Sequence, residues 1–302
     1  MIRIGAHMSV AGGLSRAVDR AVLHGCDTLQ IFTKNASQWR AKPLADDDIR
    51  QFRAAVDASG LAPVVSHASY LINLATTDPA LRAQSMAALA DELDRADALG
   101  LTGVVLHPGT CTSGTEDDAL TLVADAIRET LGARPGMQTR LLLEHTAGQG
   151  RTIGYRFEHL SGIIARLDGT DSVGVCLDTC HLLAAGYDIA SETGFAATFA
   201  DFDRHIGFDR LRVVHANDSK KPCGSRVDRH EHIGEGYVGE AAFARLATDP
   251  RFDGLPLILE TAKSKDAGKP NAVVLDPLDM KNLDTLRRLR GLPSDAHGAS
   301  AR

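Results

Sequence analysis

Six apolar runs of this chain end in a side chain that can hold a proton or a cation. They are Ala62 to His67, Gly103 to His107, Arg140 to Glu144, Val173 to Asp178, Leu211 to His215 and Pro256 to Glu260. Read as parallel strands of a closed barrel, they all point the same way, so their C-terminal tips converge on one patch of one face. Imidazoles and carboxylates crowded together repel or desolvate one another unless a cation sits among them. The pattern therefore predicts a metal site, and mixed imidazole and carboxylate donors suit zinc or manganese. Three imidazoles with three carboxylates exceed what a single tetrahedral ion needs.

Two further segments extend the set. Asp178-Thr-Cys-His181 puts another imidazole one helical turn beyond a tip carboxylate, and Asp228-Arg-His230 offers two donors at i and i+2, on one side of an extended segment. Together these could hold another ion. Cys180 is expected to point elsewhere, as a buried structural thiol. His145, directly after Glu144, should face away from the tip direction and support the ligands from behind. Ions clustered ~3.5 to 4 Å apart are the apparatus of in-line displacement at phosphorus, where they lower the pKa of a water and hold the phosphate and the leaving oxygen.

The elements that must position these residues alternate between strand and helix along the whole chain. Ile2 to His7 and Asp27 to Phe32 read as two further strands, giving about eight βα units as a barrel requires. Leu14, Ala17, Val18, Ala21 and Val22 form a helical stripe that stops at Gly25. Another, Leu81 to Leu99, is preceded by Asp78-Pro79 and followed by Gly100, the expected start and stop residues. Leu120, Val123, Ile127 and Leu131 repeat the pattern between Thr115 and Gly132. An open doubly wound sheet would serve a ligand from only a few strand ends, so six ligand-type tips favour the closed α/β barrel. No composition break divides the chain. A single barrel domain over 1–292 is expected, with a Ser-, Ala- and Gly-rich tail over 293–302 too polar to order.

Composition narrows the compartment and the partners. Five scattered cysteines, Cys26, Cys111, Cys176, Cys180 and Cys223, form no C-x-x-C pair, which fits a reducing cytoplasm. No secretory leader and no apolar run of about 18 residues is evident, so a soluble cytoplasmic protein is expected. A formal charge of −6 argues mildly against a nucleic-acid partner. Basic residues nevertheless collect after the strands, as Lys34, Arg40 and Lys42, as Lys220, Lys221, Arg226 and Arg229, and as Lys263, Lys265 and Lys269. Three bound divalent ions would bring the formal balance to about zero, with the added charge on one face.

Longer segments carry a specific likeness. Ile4-Gly-Ala-His-Met-Ser-Val-Ala-Gly-Gly13, Gln30-Ile-Phe-Thr-Lys-Asn35, Ser69-Tyr-Leu-Ile-Asn-Leu74, Leu177-Asp-Thr-Cys-His181, His215-Ala-Asn-Asp-Ser-Lys220, the run from Gly224 to Gly236 and Leu257-Ile-Leu-Glu-Thr261 closely resemble the endonuclease IV family of zinc-dependent apurinic/apyrimidinic endonucleases. The resemblance covers nearly the whole chain and implies a TIM barrel, (β/α)8, with three zinc ions. Carried over by position, it implies that His67, His107 and Glu144 hold one ion, with Glu144 bridging to a second held by Asp178, His215 and Glu260. His181, Asp228 and His230 would hold the third.

The same resemblance implies a double-stranded DNA partner, opened at abasic sites or presenting blocked 3′ ends, and a barrel mouth occupied by DNA is compatible with a monomer. Tyr70 and Leu71 match the positions that penetrate the duplex, in keeping with the apolar character of base-step wedges. Gln38 fills the space of displaced nucleotides, while Asn35, Ser37, Arg40, Lys220 and Arg229 complete the expected DNA contacts. Two residues depart from the family pattern: Ser37 replaces an arginine, and Ala68 stands where an aspartate follows the first histidine. A metal-dependent sugar isomerase or epimerase of the related xylose-isomerase-like barrels is the competing reading. Such an enzyme needs neither the Asp228-Arg-His230 donors nor the Tyr70-Leu71 wedge.

Overall fold

The computed structural model describes residues 1–264 and 271–291. The expected tail over 293–302, and Lys265 and Lys269, lie outside the described residues. Eight parallel strands close into a barrel in the order β1 (Arg3–His7), β10 (Pro256–Leu259), β7 (Leu211–His215), β6 (Val173–Asp178), β5 (Arg140–Glu144), β4 (Gly103–Leu106), β3 (Val64–His67) and β2 (Thr28–Ile31). This is the (β/α)8 TIM barrel. Helices α1 (Leu14–Leu23), α2 (Asp46–Ser59), α3 (Pro79–Leu99), α4 (Glu116–Gly132), α5 (Phe157–Arg166), α7 (Glu192–His205), α8 (Glu240–Thr248) and α9 (Pro277–Leu289) occupy the connections.

Local sequence explains the helix limits. Asp78 caps α3 by accepting from the backbone N–H groups of Ala80 and Leu81, Pro79 needs no partner for a missing N–H, and Gly100 ends the helix at φ 73. Thr115 and Asp118 form a reciprocal capping box at the start of α4. Two connections are longer than a simple βα unit. Between β6 and β7 a short helix, α6 (Thr179–Ala185), precedes α7, and between β7 and β10 a hairpin of β8 (Asp218–Ser219) and β9 (His230–Glu231) precedes α8.

The apolar residues divide into two clusters. The larger fills the space between strands and helices, as with Ile4, Leu29, Leu89, Leu143 and Phe243. The smaller comprises Val65, Val105, Leu142, Cys176, Val213 and Ile258. Each member of the smaller cluster lies two residues before one of the six tips, His67, His107, Glu144, Asp178, His215 and Glu260. Strand side chains alternate with a period of two, so the tips stand directly above this inner layer. On β1 the inner position is Gly5, where an added Cβ would lie 2.0 Å from the Thr28 carbonyl oxygen. Only glycine lets β1 and β2 approach there.

Candidate metal centre

Glu144 occupies the middle of the barrel mouth and is fully buried. Its two oxygens face different imidazoles. Oε2 lies 3.1 Å from His67 Nε2 and 3.0 Å from His107 Nε2. Oε1 lies 3.2 Å from His215 Nδ1 and 3.2 Å from His181 Nδ1. His215 Nδ1 is also 3.2 Å from Glu260 Oε2 and 4.0 Å from Asp178 Oδ2. Further out, Asp228 reaches His181 Nε2 at 3.2 Å and His230 Nε2 at 3.3 Å, while Asp178 lies 3.5 Å from His230.

These contacts resolve into groups whose ligand atoms lie within 4.8 Å of one another: His67, His107 and Glu144; Glu144, Asp178, His215 and Glu260; and Asp178, His181 and His230. Asp228 joins the last through both of its imidazole neighbours. All nine expected ligands therefore converge. Cys180 is buried as expected, and its thiol also falls within the same 4.8 Å of donor atoms on Asp228 and His230. Burial pushes that thiol up to about 12, and does the same to Cys176 beneath Asp178, so both stay protonated at neutral pH.

The ring tautomers are fixed from behind. His67 Nδ1 donates to the Ala68 carbonyl over 2.7 Å, and His181 Nδ1 to the His145 carbonyl over 2.9 Å. His215 Nε2 donates to the side-chain oxygen of Gln30 over 2.8 Å. Each leaves a lone pair directed at the carboxylates, the arrangement typical of imidazoles that ligate metal. His230 Nε2 is buried and makes no hydrogen bond, although two carboxylates stand nearby. Four carboxylates, five imidazoles and an orphaned ring nitrogen fit divalent cations of the zinc type.

Electrostatics agree with a site built for positive charge. Burial alone would raise the Glu144 carboxyl, yet the neighbouring His107 and His215 hold it well below the usual carboxylate range. Burial likewise opposes charge on His181, but Asp178, Asp228 and Glu144 lift it well above the ordinary imidazole value. His230 rises to about 9, with Asp178 and Asp228 overcoming its burial. The same carboxylates that favour a proton on these rings would favour a cation in its place.

Residues that sequence reasoning passed over complete the mouth. Gln30, at the end of β2, donates through its amide to Glu260 Oε1 over 2.5 Å and approaches His7 Nδ1 at 3.1 Å. His7 is itself a strand tip of ligand type, so the rule that found the other six would have found it. Burial drives its pKa down to about 3, keeping it neutral. Asn217 donates to Asp178 Oδ2 over 2.7 Å and accepts from the Glu260 backbone over 2.8 Å. His145 behaves as expected: its ring packs 5.4 Å from both Phe157 and Tyr187, away from the ligands.

The expected DNA contacts lie on loops around this centre. Tyr70 is 58% exposed and rests against the rings of Phe32, His67 and His107. Leu71 is half-buried, while Asn35, Ser37, Gln38 and Arg40 are exposed on the loop after β2, with the Asn35 side-chain oxygen accepting from the Ser37 N–H over 2.9 Å. Arg40 and Trp39 line a cavity of about 550 Å³ against Ala83, Gln84 and Ala87 of α3. Lys220 is exposed, 4.0 Å from Glu231, and Arg229 is exposed beside Asp228. Lys34 is not a surface cation: its side chain is 1% exposed and pairs with Asp91 at 2.6 Å.

Comparison with known proteins follows the same lines. The profile of the xylose isomerase-like TIM barrel family matches residues 18–282. A probable endonuclease 4 of Chloroflexus aurantiacus is 47% identical over 289 residues, covering 96% of this chain and 98% of that protein. The crystal structure of endonuclease IV from Thermus thermophilus superimposes with a TM-score of 0.81 at 38% identity, covering 95% of this chain and 98% of that one. A D-tagatose 3-epimerase-like protein shares the fold alone, with a TM-score of 0.70 at 19% identity over 95% of this chain and 97% of that one. With identity at this level over almost the full length, this chain belongs to the endonuclease IV family of xylose isomerase-like TIM barrels.

Proposed function

We propose that this endonuclease hydrolyses the DNA phosphodiester 5′ to an abasic site, leaving a 3′-hydroxyl, and that it also trims blocked 3′ ends. The observation that carries the reading is the placement of Glu144, whose two oxygens serve two different groups of donors. A carboxylate so placed can hold two cations side by side. In this reading His67, His107 and Glu144 hold the first zinc, Glu144, Asp178, His215 and Glu260 the second, and His181, Asp228 and His230 the third. Ions bound there supply Lewis acidity toward a phosphodiester and acidify water.

The protein's own part is orientation and shape. Gln30 and Asn217 hold Glu260, His215 and Asp178 in fixed directions. Tyr70, standing beside His67 and His107, marks the side from which DNA enters, and with Leu71 it wedges into the stack. Gln38, Asn35, Ser37 and Arg40 approach from the neighbouring loop, and Lys220 and Arg229 meet phosphates across the mouth. Among the described residues no helix is long and apolar enough to cross a membrane. A cytoplasmic monomer acting on double-stranded DNA accords with this reading.

The experiment is cleavage of a duplex with a single abasic site, run beside elemental analysis of the same preparation. Incision 5′ to the lesion with close to three zinc ions per chain is expected. Turnover of a ketose or aldose without DNA cleavage would replace this reading with the sugar epimerase one.

A further inference from the structure

The loop after β2, from Thr33 to Lys42, and the loop after β3, from Ala68 to Leu71, leave different strands but are fastened together at their bases. Ser69 Oγ donates to the Ala36 carbonyl over 2.6 Å, a direct clasp between them. The Ser69 N–H donates to Glu92 Oε1 over 3.2 Å, and Thr33 Oγ1 donates to Glu92 Oε2 over 2.8 Å, so one carboxylate on α3 holds both loops. Arg95, one turn further along α3, donates to the carbonyls of Thr33 and Lys42 over 2.6 and 3.0 Å. Lys34 closes the network at 3.6 Å from Glu92. Glu92, Ser69, Thr33, Lys34 and Arg95 are all buried.

A buried ionic network of this kind adds little net stability, because desolvation offsets the attraction. What a fully satisfied network does supply is a fixed geometry. Its position tells what geometry. Ala36 immediately precedes Ser37 and Gln38, and Ser69 immediately precedes Tyr70 and Leu71. The clasp therefore sits between the two sets of side chains expected to enter DNA.

We propose that Ser69 and Glu92 are positioning residues that latch these two loops into a single probing unit, so that Gln38 and Tyr70 engage an opened duplex together. The proposal rests on the reading of these loops as DNA contacts. Ordering them in advance spares the binding energy that separate, mobile loops would spend on becoming ordered.

The test is a double-substitution cycle on affinity for an abasic duplex, using the metal-loaded protein. Gln38→Ala, Tyr70→Ala and their combination are measured in the natural background, in Ser69→Ala and in Thr33→Val, which is nearly isosteric. In the natural background the two losses should be non-additive by roughly fivefold, as for groups that act through a shared element. In Ser69→Ala and Thr33→Val they should become additive within about twofold, with zinc content unchanged and the loss appearing in KM more than in kcat. Coupling that persists in both backgrounds overturns the latch. If neither Gln38→Ala nor Tyr70→Ala alters affinity while the protein still cleaves abasic DNA, the loop assignment fails and takes the latch with it, leaving the assigned activity intact.

Discussion

Gln30 and His215 meet across the barrel mouth, with the His215 ring N–H donating to the Gln30 side-chain oxygen over 2.8 Å while the Gln30 amide donates to Glu260. One neutral side chain thus sets the ring tautomer of one expected ligand and the rotamer of another. A charged residue in its place would alter the sum of charges; an amide sets direction only.

Removing that amide should loosen the metal without unfolding the barrel. Gln30→Ala is expected to weaken zinc retention by about 10- to 100-fold, the usual cost of losing support behind a ligand. Competition against a chromogenic chelator measures it. Retention equal to that of the natural protein would mean that Glu144 and Asp178 orient His215 unaided.

Glu144 and Asp228 should differ in what their loss removes. Glu144 serves two donor groups and is buried, whereas the Asp228 side chain is 40% exposed and serves the outer imidazoles. Glu144→Gln is therefore expected to lower zinc content by more than one ion per chain, and Asp228→Asn by close to one. Elemental analysis after dialysis decides it, and equal losses from the two variants would count against a bridging carboxylate.

The loop after β2 should respond to charge. Ser37 is exposed and small where a planar cation would add a phosphate contact and a stacking surface. Ser37→Arg is expected to tighten binding to an abasic duplex and to steepen its salt dependence by about one counterion, with kcat little changed. Titrations from low to moderate salt test this. Affinity that is unchanged in Ser37→Arg but abolished in Arg40→Ala would assign the wedge cation to Arg40.

The inner layer of the barrel carries a stability prediction. Leu142 lies two residues before Glu144 and is 1% exposed. Leu142→Ala should cost about 2 to 5 kcal/mol, through lost burial and the cavity left beneath the metal centre. Denaturant unfolding of the metal-free protein measures it, and a loss below about 1 kcal/mol would show that Val105 and Cys176 collapse into the space.

The six tips were legible because a buried strand reads as an apolar run, and a charged residue closing such a run has few structural reasons to be there. The period of two then carried them to one face, above Val65, Val105, Leu142, Cys176, Val213 and Ile258. The reading faltered where the relevant partner is distant in the chain. Gln30 and Asn217 carry no charge and draw attention only once His215 and Asp178 are seen beside them. Lys34 looked like a loop cation because its partners on α3, Asp91 and Glu92, follow more than fifty residues later. The hairpin of β8 and β9 has strands of two residues, too short to leave any periodicity.

That hairpin lies outside the eight-stranded wall. Asp218 straps it down by accepting from the backbone of Gly234 and Val238, and Gly224 and Arg226 donate to carbonyls of α6, the short helix that bears His181. Three of the expected ligands, His181, Asp228 and His230, therefore reside on two excursions that touch each other and add nothing to the closure of the sheet. Trimming one connection would remove donors from the outer group while every strand kept its neighbours. In the three-ion reading, the outer position would thus depend on two connections, and the inner two on the wall itself.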